Sequence, residues 1–214
     1  MLKDYLINNI KNSKHPIAFT GSMLSVMCGF PDLNENILEH KLKDALTLDF
    51  FNNNVLDFYK IFRYLIIKST KIEPNYIHRV LANMNVHIIT DNFDNLHQKS
   101  GSHNVIELNN NLEYLLCKKC NYKIKSKLAL GTLKSDDELL STITCPHCHN
   151  ILKPTLVLVG EEITNFHLAV NEINKSDLLL IIGNDLSSWP SNTIPNKAKR
   201  INCNIITLNN NYNK

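Results

Sequence analysis

Ile17-Ala18-Phe19-Thr20-Gly21-Ser22 is a short apolar run that ends in a glycine turn and leads into a helix-compatible stretch. Runs of the same kind recur at Val86 to Thr90, Val105 to Leu108, Leu156 to Val159, Leu178 to Ile182 and Ile205 to Leu208. Helix-compatible sequence lies between most of them, including Asn53 to Lys68 with apolar residues at helical spacing, and Tyr76 to Met84, which Pro74-Asn75 starts. The alternation predicts a parallel sheet with crossover helices, and the near-continuous apolar strands predict that both faces are covered. The asparagine clusters at Asn52 to Asn54, Asn109 to Asn111 and Asn209 to Asn211 are short and read as turns or caps.

In a Rossmann-like domain the first strand–glycine–helix turn is where a pyrophosphate sits, against the helix N-terminus. The chain has only 6 Gly and no G-x-G-x-x-G, so this stretch alone leaves a dinucleotide site and an ordinary strand–helix turn both open. With 214 residues, 43% of them hydrophobic, the expected organisation is one α/β domain with a small insert: 1–112 and 152–214 forming the sheet part, 113–151 the insert. A net charge of +3 and a pI near 8.5 arise from scattered lysines without a dense basic tract, which argues against nucleic acid as the partner. No apolar run of about 18 residues and no signal-peptide pattern is seen, so a cytoplasmic protein with no membrane partner is expected.

Four of the six cysteines form two C-x-x-C pairs, Cys117/Cys120 and Cys145/Cys148, separated by 24 residues. Two such turns supply four thiolates that close a tetrahedral zinc site at about 2.3 Å per bond, with no open position for water. The site is therefore structural, a zinc-ribbon-type module. Lys118 and Lys119 lie beside the thiolates and offset their charge, while His147 and His149 read as loop residues. Cys28 and Cys203 are expected to be ordinary buried thiols.

Taken in order, the motifs resemble those of the sirtuins, the NAD-dependent protein deacylases, over nearly the whole chain. Thr20-Gly21-Ser22-Met23-Leu24-Ser25 and Gly29-Phe30-Pro31-Asp32-Leu33-Asn34 resemble T-G-A-G-I-S…S-G-I-P-D-F-R. Phe58-Tyr59 and Pro74-Asn75-Tyr76-Ile77-His78 resemble F-Y…P-N-x-x-H, and Thr90-Asp91-Asn92-Phe93-Asp94-Asn95-Leu96-His97 with Gly101 resembles T-Q-N-I-D-G-L-H…A-G. Val105-Ile106-Glu107-Leu108 resembles the strand into E-L-H-G; after the cysteines come Leu152-Lys153-Pro154, Gly160-Glu161, Asp177 to Gly183 and Leu208-Asn209. The resemblance implies a large Rossmann domain, a small zinc domain, NAD as co-substrate, and an acylated or ADP-ribosylated protein or peptide as partner in the cleft between the domains. It also implies that Asn92 and Asp94 hold the ribose and the nicotinamide carboxamide, and that Val157 to Gly160 receives acyl-lysine as an added strand. Gly21, Ser22, Met23, Ser25, Pro31, Asp32, Asp91, Phe93, Gly183, Asn184, Asp185 and Asn209 fall at cofactor-binding positions.

The departures gather at that cofactor site. Asn109 stands at the position of the family's catalytic histidine, and an amide cannot accept a proton as imidazole does. Met23 replaces the second glycine of G-A-G, Asn34 the arginine of P-D-F-R, Asp91 the glutamine before Asn92, and Asn184-Asp185 the T-S after Gly183. Extra carboxylates beside a pyrophosphate are unfavourable unless paired or protonated. Tyr59 is followed three residues later by Phe62 where the desuccinylating branch has arginine, so succinyl-lysine is not expected as substrate. Three readings follow: a deacylase with weakened or altered activity, an ADP-ribosyltransferase or NAD-cleaving variant, and a non-catalytic scaffold.

Overall fold

The computed structural model describes residues 2–133 and 138–208, which form two units. The first takes Met1–Gly29, Glu73–Leu108 and Ile163–Lys214; the second takes Phe30–Ile72 and Asn109–Glu162. Thus the second unit contains, besides the cysteine pairs, the stretch from Phe30 through the Val55–Lys71 helix.

In the first unit five strands make an all-parallel sheet in the order Asn204–Leu208, Leu178–Ile182, Pro16–Thr20, His87–Thr90, Val105–Glu107. Because side chains alternate along a strand, each apolar run feeds two cores. Ala18, Ile88, Leu178, Leu180 and Ile182 pack with Leu6 and Ile10 of the Leu2–Lys11 helix and with Ile77 and Leu81 of Tyr76–Asn83. Ile17, Phe19, Ile89, Leu179 and Ile181 pack on the other face with Ala169 and Ile173 of Phe166–Ile173 and with Ile194 and Ala198 of Ile194–Arg200. Both faces are covered, as the uninterrupted apolar runs predict.

The second unit is built on the Val55–Lys71 helix, which buries Phe58, Tyr59, Ile61, Phe62, Leu65 and Ile66 at helical spacing. Its three-stranded antiparallel sheet has the order Lys123–Lys125, Tyr114–Leu116, Lys153–Pro154. The run Leu156 to Val159 is not a sheet strand. Leu156 and Leu158 are buried and Val159 is 70% exposed, a strand-like alternation, yet among the described residues the only pairing is an isolated parallel bridge from Val159 to Thr47. Leu48 N–H donates to Val159 O at 2.9 Å, Val159 N–H to Leu46 O at 3.0 Å and Val157 N–H to Asn109 O at 2.9 Å, so the partners are separate loops.

Candidate functional site

At the carboxyl end of the parallel sheet Thr20 leads into Gly21, which is extended (φ −133, ψ −177) and starts the short helix Ser22–Val26. A side chain at Gly21 has no room: a Cβ there would lie 2.6 Å from Asn184 Cα and 2.7 Å from Asn184 Cβ. Gly21 N–H donates to Ile182 O at 3.1 Å and Met23 N–H to Gly183 O at 3.1 Å, tying this turn to the neighbouring strand. Met23, at the position of the family's second glycine, is thereby fixed against Gly183, whose φ of +61 is one that glycine adopts without strain.

From the adjacent strand, Thr90 leads into Asp91, Asn92 and Asp94. Thr20 donates its hydroxyl to Thr90 Oγ1 at 2.8 Å, and Asn92 N–H donates to the same oxygen at 3.0 Å. His97 Nε2 is 2.8 Å from Thr20 Oγ1, so the imidazole, Thr20 and Thr90 form one buried hydrogen-bonded chain. Asn92 is buried and donates Nδ2–H to Gly21 O at 3.0 Å, which binds the two strand ends together. Asp94 is buried as well: its Oδ1 accepts from Leu96 N–H at 2.8 Å, whereas its Oδ2 and the Ser25 hydroxyl are buried without a hydrogen-bond partner among the described residues. Burial pushes the Asp94 carboxyl up from its ordinary value; the nearby Ser25 hydroxyl, too poorly placed to make a hydrogen bond of good geometry, and the Leu96 N–H offset this in part.

The two extra carboxylates have partners. Asp91 accepts from Asn184 Nδ2 at 2.7 Å and from the Ser191 hydroxyl at 2.7 and 2.8 Å. Burial still raises its carboxyl above the usual range, Ser191 and Asn184 lowering it and Asp185 adding to the rise. Asp185 is exposed and closes a turn, accepting from Ser187 N–H at 3.0 Å and its hydroxyl at 2.8 Å. Asp91 and Asn184, two departures from the family pattern, therefore answer each other across the sheet. Ser191, which completes the set, lies 100 residues from Asp91 with no motif around it to single it out.

Thus Gly21, Ser22, Met23, Ser25, Asp91, Asn92, Phe93, Asp94, Gly183, Asn184 and Asp185 all belong to the first unit, on its Thr20, Thr90 and Ile182 strand ends. Pro31, Asp32 and Asn109 belong to the second. Asp32 Oδ1 accepts from Asn34 N–H at 2.7 Å and Asn34 Nδ2 at 3.1 Å, so the pair closes a turn on itself. Asn109 accepts from Val157 through its carbonyl, and Asn110 has φ +52 with its Nδ2 donating to Thr155 O at 3.1 Å. Asn110 stands where E-L-H-G has glycine, so the turn survives with asparagine, the residue next most tolerant of left-handed backbone. Asn209 lies outside the described residues.

The histidines that match family positions are core residues. His78 and His97 are both buried, their rings 4.7 Å apart. His78 Nδ1 is 2.9 Å from Asn75 Oδ1, an acceptor that also caps the helix Tyr76–Asn83 through Ile77 and His78 N–H. Burial lowers His78 to about 4 and, with His78 nearby, His97 to about 3.

In the second unit the cysteines converge. Cys117 and Cys148 Sγ are 3.4 Å apart, Cys120 and Cys145 3.5 Å, and all four lie within 4.8 Å of one another. A tetrahedron with 2.3 Å bonds has edges of about 3.8 Å, so the set fits a zinc ion. The two knuckles repeat each other: Cys117 N–H donates to Tyr122 O and Cys145 N–H to Asn150 O, both at 2.8 Å. Asn121 N–H donates to Cys117 O at 2.9 Å and His149 N–H to Cys145 O at 3.0 Å, and Asn121 and His149 both have φ +60. His149 is therefore the turn residue of its knuckle. Of the remaining thiols, Cys203 is buried and Cys28 only partly so.

Lys153 explains why L-K-P and G-E occur together. Its ammonium is buried and its three protons are all engaged, by Glu161 Oε2 at 2.6 Å, Pro154 O at 2.9 Å and Leu156 O at 3.0 Å. Burial lowers its pKa, against the opposing pull of Glu161. Tyr59 and Phe62 are fully buried, and Tyr59 donates its hydroxyl to Leu152 O.

Among known families, the model of the Sir2 family matches residues 21–190. The NAD-dependent protein deacetylase of Sulfurisphaera tokodaii is 34% identical over 204 residues, covering 92% of this chain and 80% of the relative. That of Caldivirga maquilingensis is 32% identical over 209 residues, covering 94% and 79%. Among solved structures, Sir2Tm bound to a propionylated peptide has a TM-score of 0.84 at 25% identity, covering 98% of this chain and 86% of that one. The fold is shared also by a Sir2 homolog–NAD complex, with a TM-score of 0.82 at 24% identity over 96% of this chain and 82% of the other. None of the helices among the described residues is long and apolar enough to cross a membrane.

Proposed function

The chain belongs to the Sir2 family, and from that premise we propose that it binds NAD and an acyl-lysine peptide, releases nicotinamide, and completes acyl transfer slowly because Asn109 stands at the base position. The observation that carries this reading is the buried Asn92–Asp94 pair at the carboxyl end of the sheet, with Asp94 Oδ2 lacking a partner among the described residues. A buried acceptor left unsatisfied costs about 1–3 kcal/mol, and a carboxamide N–H would satisfy it. The curated relatives named above are NAD-dependent deacetylases, and the solved neighbours include complexes with NAD and with an acylated peptide.

When bound, NAD supplies the ribose C1′ from which nicotinamide is displaced by the acyl oxygen. The chain's contribution is to orient and exclude water. Asn92, held through Nδ2 by Gly21 O, would offer its amide oxygen to a ribose hydroxyl, and Asp94 would take the carboxamide. Asp91 is occupied by Asn184 and Ser191, so it opposes a pyrophosphate less than a bare carboxylate would.

Removing a general base costs about 10²- to 10⁴-fold. His97 does not replace it: its Nε2 is engaged with Thr20, and burial holds the ring neutral down to about pH 3. His78 is likewise held neutral down to about pH 4. His103 is exposed and precedes the Val105–Glu107 strand, at the amino end of the sheet.

Asn109 also favours a second reading, ADP-ribosyl transfer, because nicotinamide displacement does not need the imidazole. The deciding experiment is calorimetric titration of NAD into zinc-loaded protein, paired with mass spectrometry for nicotinamide and O-acyl-ADP-ribose on adding acetylated peptide. NAD binding with nicotinamide release and a small yield of acyl-ADP-ribose is expected. Nicotinamide release without that product would select ADP-ribosyl transfer or hydrolysis. Absence of NAD binding would overturn both and leave the scaffold reading.

A further inference from the structure

At the opposite, amino end of the same sheet, strand register brings together three ligand-type side chains. Ile17 pairs with His87 on adjacent parallel strands, and both Ile17 and Ile89 face the core under the Phe166–Ile173 helix. Side chains repeat every two residues, so His15 and His87 turn toward that same helix. Glu172 hangs from its last turn. His15 Nε2 and His87 Nδ1 each lie 3.2 Å from Glu172 Oε2, their rings are 4.8 Å apart, and the three ligand atoms all lie within 4.8 Å of one another.

We propose that His15, His87 and Glu172 form a second metal site, a two-histidine, one-carboxylate centre for a divalent transition cation of the zinc class. Two imidazoles and a carboxylate are the donor set of three-ligand zinc sites, which keep a position open. Bonds of about 2.0–2.1 Å in tetrahedral array put neighbouring ligand atoms about 3.3 Å apart, close to both nitrogen–oxygen distances here. The ligands are also oriented. Lys175 Nζ holds the other carboxylate oxygen of Glu172 at 2.5 Å, leaving Oε2 for the cation. Asp177 fixes the backbone at His15, accepting from His15 N–H at 2.9 Å and Lys14 N–H at 2.7 Å. Such outer partners are the usual means of aiming a metal ligand. His87 and Glu172 also line a cavity of 270 Å³ with His103, which gives the open position room for water or a fourth ligand.

The centre is distinct from the tetrathiolate, which lies in the other unit, and from the Asn92–Asp94 end of the sheet. Six residues of extended chain from His15 to Gly21 span roughly 20 Å at about 3.3 Å per residue. Its role is to clasp the Phe166–Ile173 helix to the starts of two strands, and it stands whether or not the NAD reading holds.

The test uses full-length, tag-free protein with its cysteine site loaded, titrated calorimetrically with Zn²⁺ and assayed for metal content after dialysis. Two zinc ions per chain are expected, with one per chain in His15→Ala, in His87→Ala and in Glu172→Gln. In each variant the second affinity should fall by about 100-fold or more, since even outer-shell partners cost 10- to 100-fold. Circular dichroism identifies any variant that has lost its fold, and the Glu172→Gln change, which keeps the side-chain volume, guards against that outcome. One zinc per chain in folded wild type with no further saturable binding would overturn the proposal, leaving two N–H donors on one carboxylate. Two zinc ions retained in the His15→Ala/His87→Ala double variant would do the same.

Discussion

A single carbon decides the first turn of the parallel sheet. Because a Cβ at Gly21 meets backbone and side chain of Asn184 at 2.6 to 2.8 Å, Gly21→Ala must push two strand ends apart. Overpacking of this kind costs about 1–3 kcal/mol, so a fall of that size in denaturant stability is expected; an unchanged midpoint would show that the ends separate freely. The buried imidazoles give a pH signature. An unfolded histidine takes a proton near pH 6.5, whereas native His97 does so near 3, so below 6.5 the unfolded state binds the extra proton and stability falls with pH. Each such site contributes a slope of about 1.4 kcal/mol per pH unit between those values. Asp91 and Asp94, whose native pKa values are raised, work in the opposite sense as pH falls through them. His97→Gln leaves the carboxyls in place, so its stability should vary less steeply than wild type between pH 6.5 and 4 in urea titrations. Parallel curves would mean that His97 is protonated in the native state. Neither the His97–Thr20–Thr90 chain nor the Asp91–Asn184–Ser191 set was legible from the residues alone. Both rest on pairs 70 to 100 positions apart, where spacing carries no information.

Elements were legible where a local rule governs them. Apolar runs fed two faces and became the five parallel strands. The two C-x-x-C pairs converged because each knuckle closes on itself through the same two backbone bonds. The run Leu156 to Val159 has the same alternation but lacks a sheet neighbour, which is a long-range property. Backbone bonds to separate loops and the ammonium of Lys153 hold that segment, and neither set of partners follows from a spacing rule. Removing one member of a buried ion pair costs about 3–5 kcal/mol because the other is left uncompensated. Lys153→Ala should therefore destabilise the second unit by that order and loosen amides 154–161 in hydrogen exchange, while Lys153→Arg, which keeps the charge, is expected to retain protection. Equal loss in both variants would argue against the ion pair as the fastening. Cys117→Ser or Cys145→Ser should release zinc and lower thermal stability, since ligation energy of a structural site is folding energy. Full metal content with unchanged melting would contradict a four-thiolate centre.

Across the whole molecule, the departures from the family pattern gather at the cofactor positions rather than in the framework. The sheet, the knuckles, the capping Asn75 and the buried Asn92–Asp94 pair make up the framework, while under the proposed function Met23 and Asn109 would bear on two separate steps, cofactor approach and proton removal. Effects on separate steps with no shared partner add in free energy. Met23→Gly should lower the KM for NAD with little change in the turnover of bound complex, at a stability cost of up to about 1 kcal/mol for glycine within a helix. Asn109→His should instead raise formation of O-acyl-ADP-ribose by about 10²- to 10⁴-fold, the ordinary worth of a general base, and leave NAD affinity unchanged. In the double variant the two factors should multiply. A gain from Asn109→His that appears only when Met23 is also replaced would mean that NAD does not reach a productive position in the natural chain, and that cofactor approach limits the reaction before proton removal does.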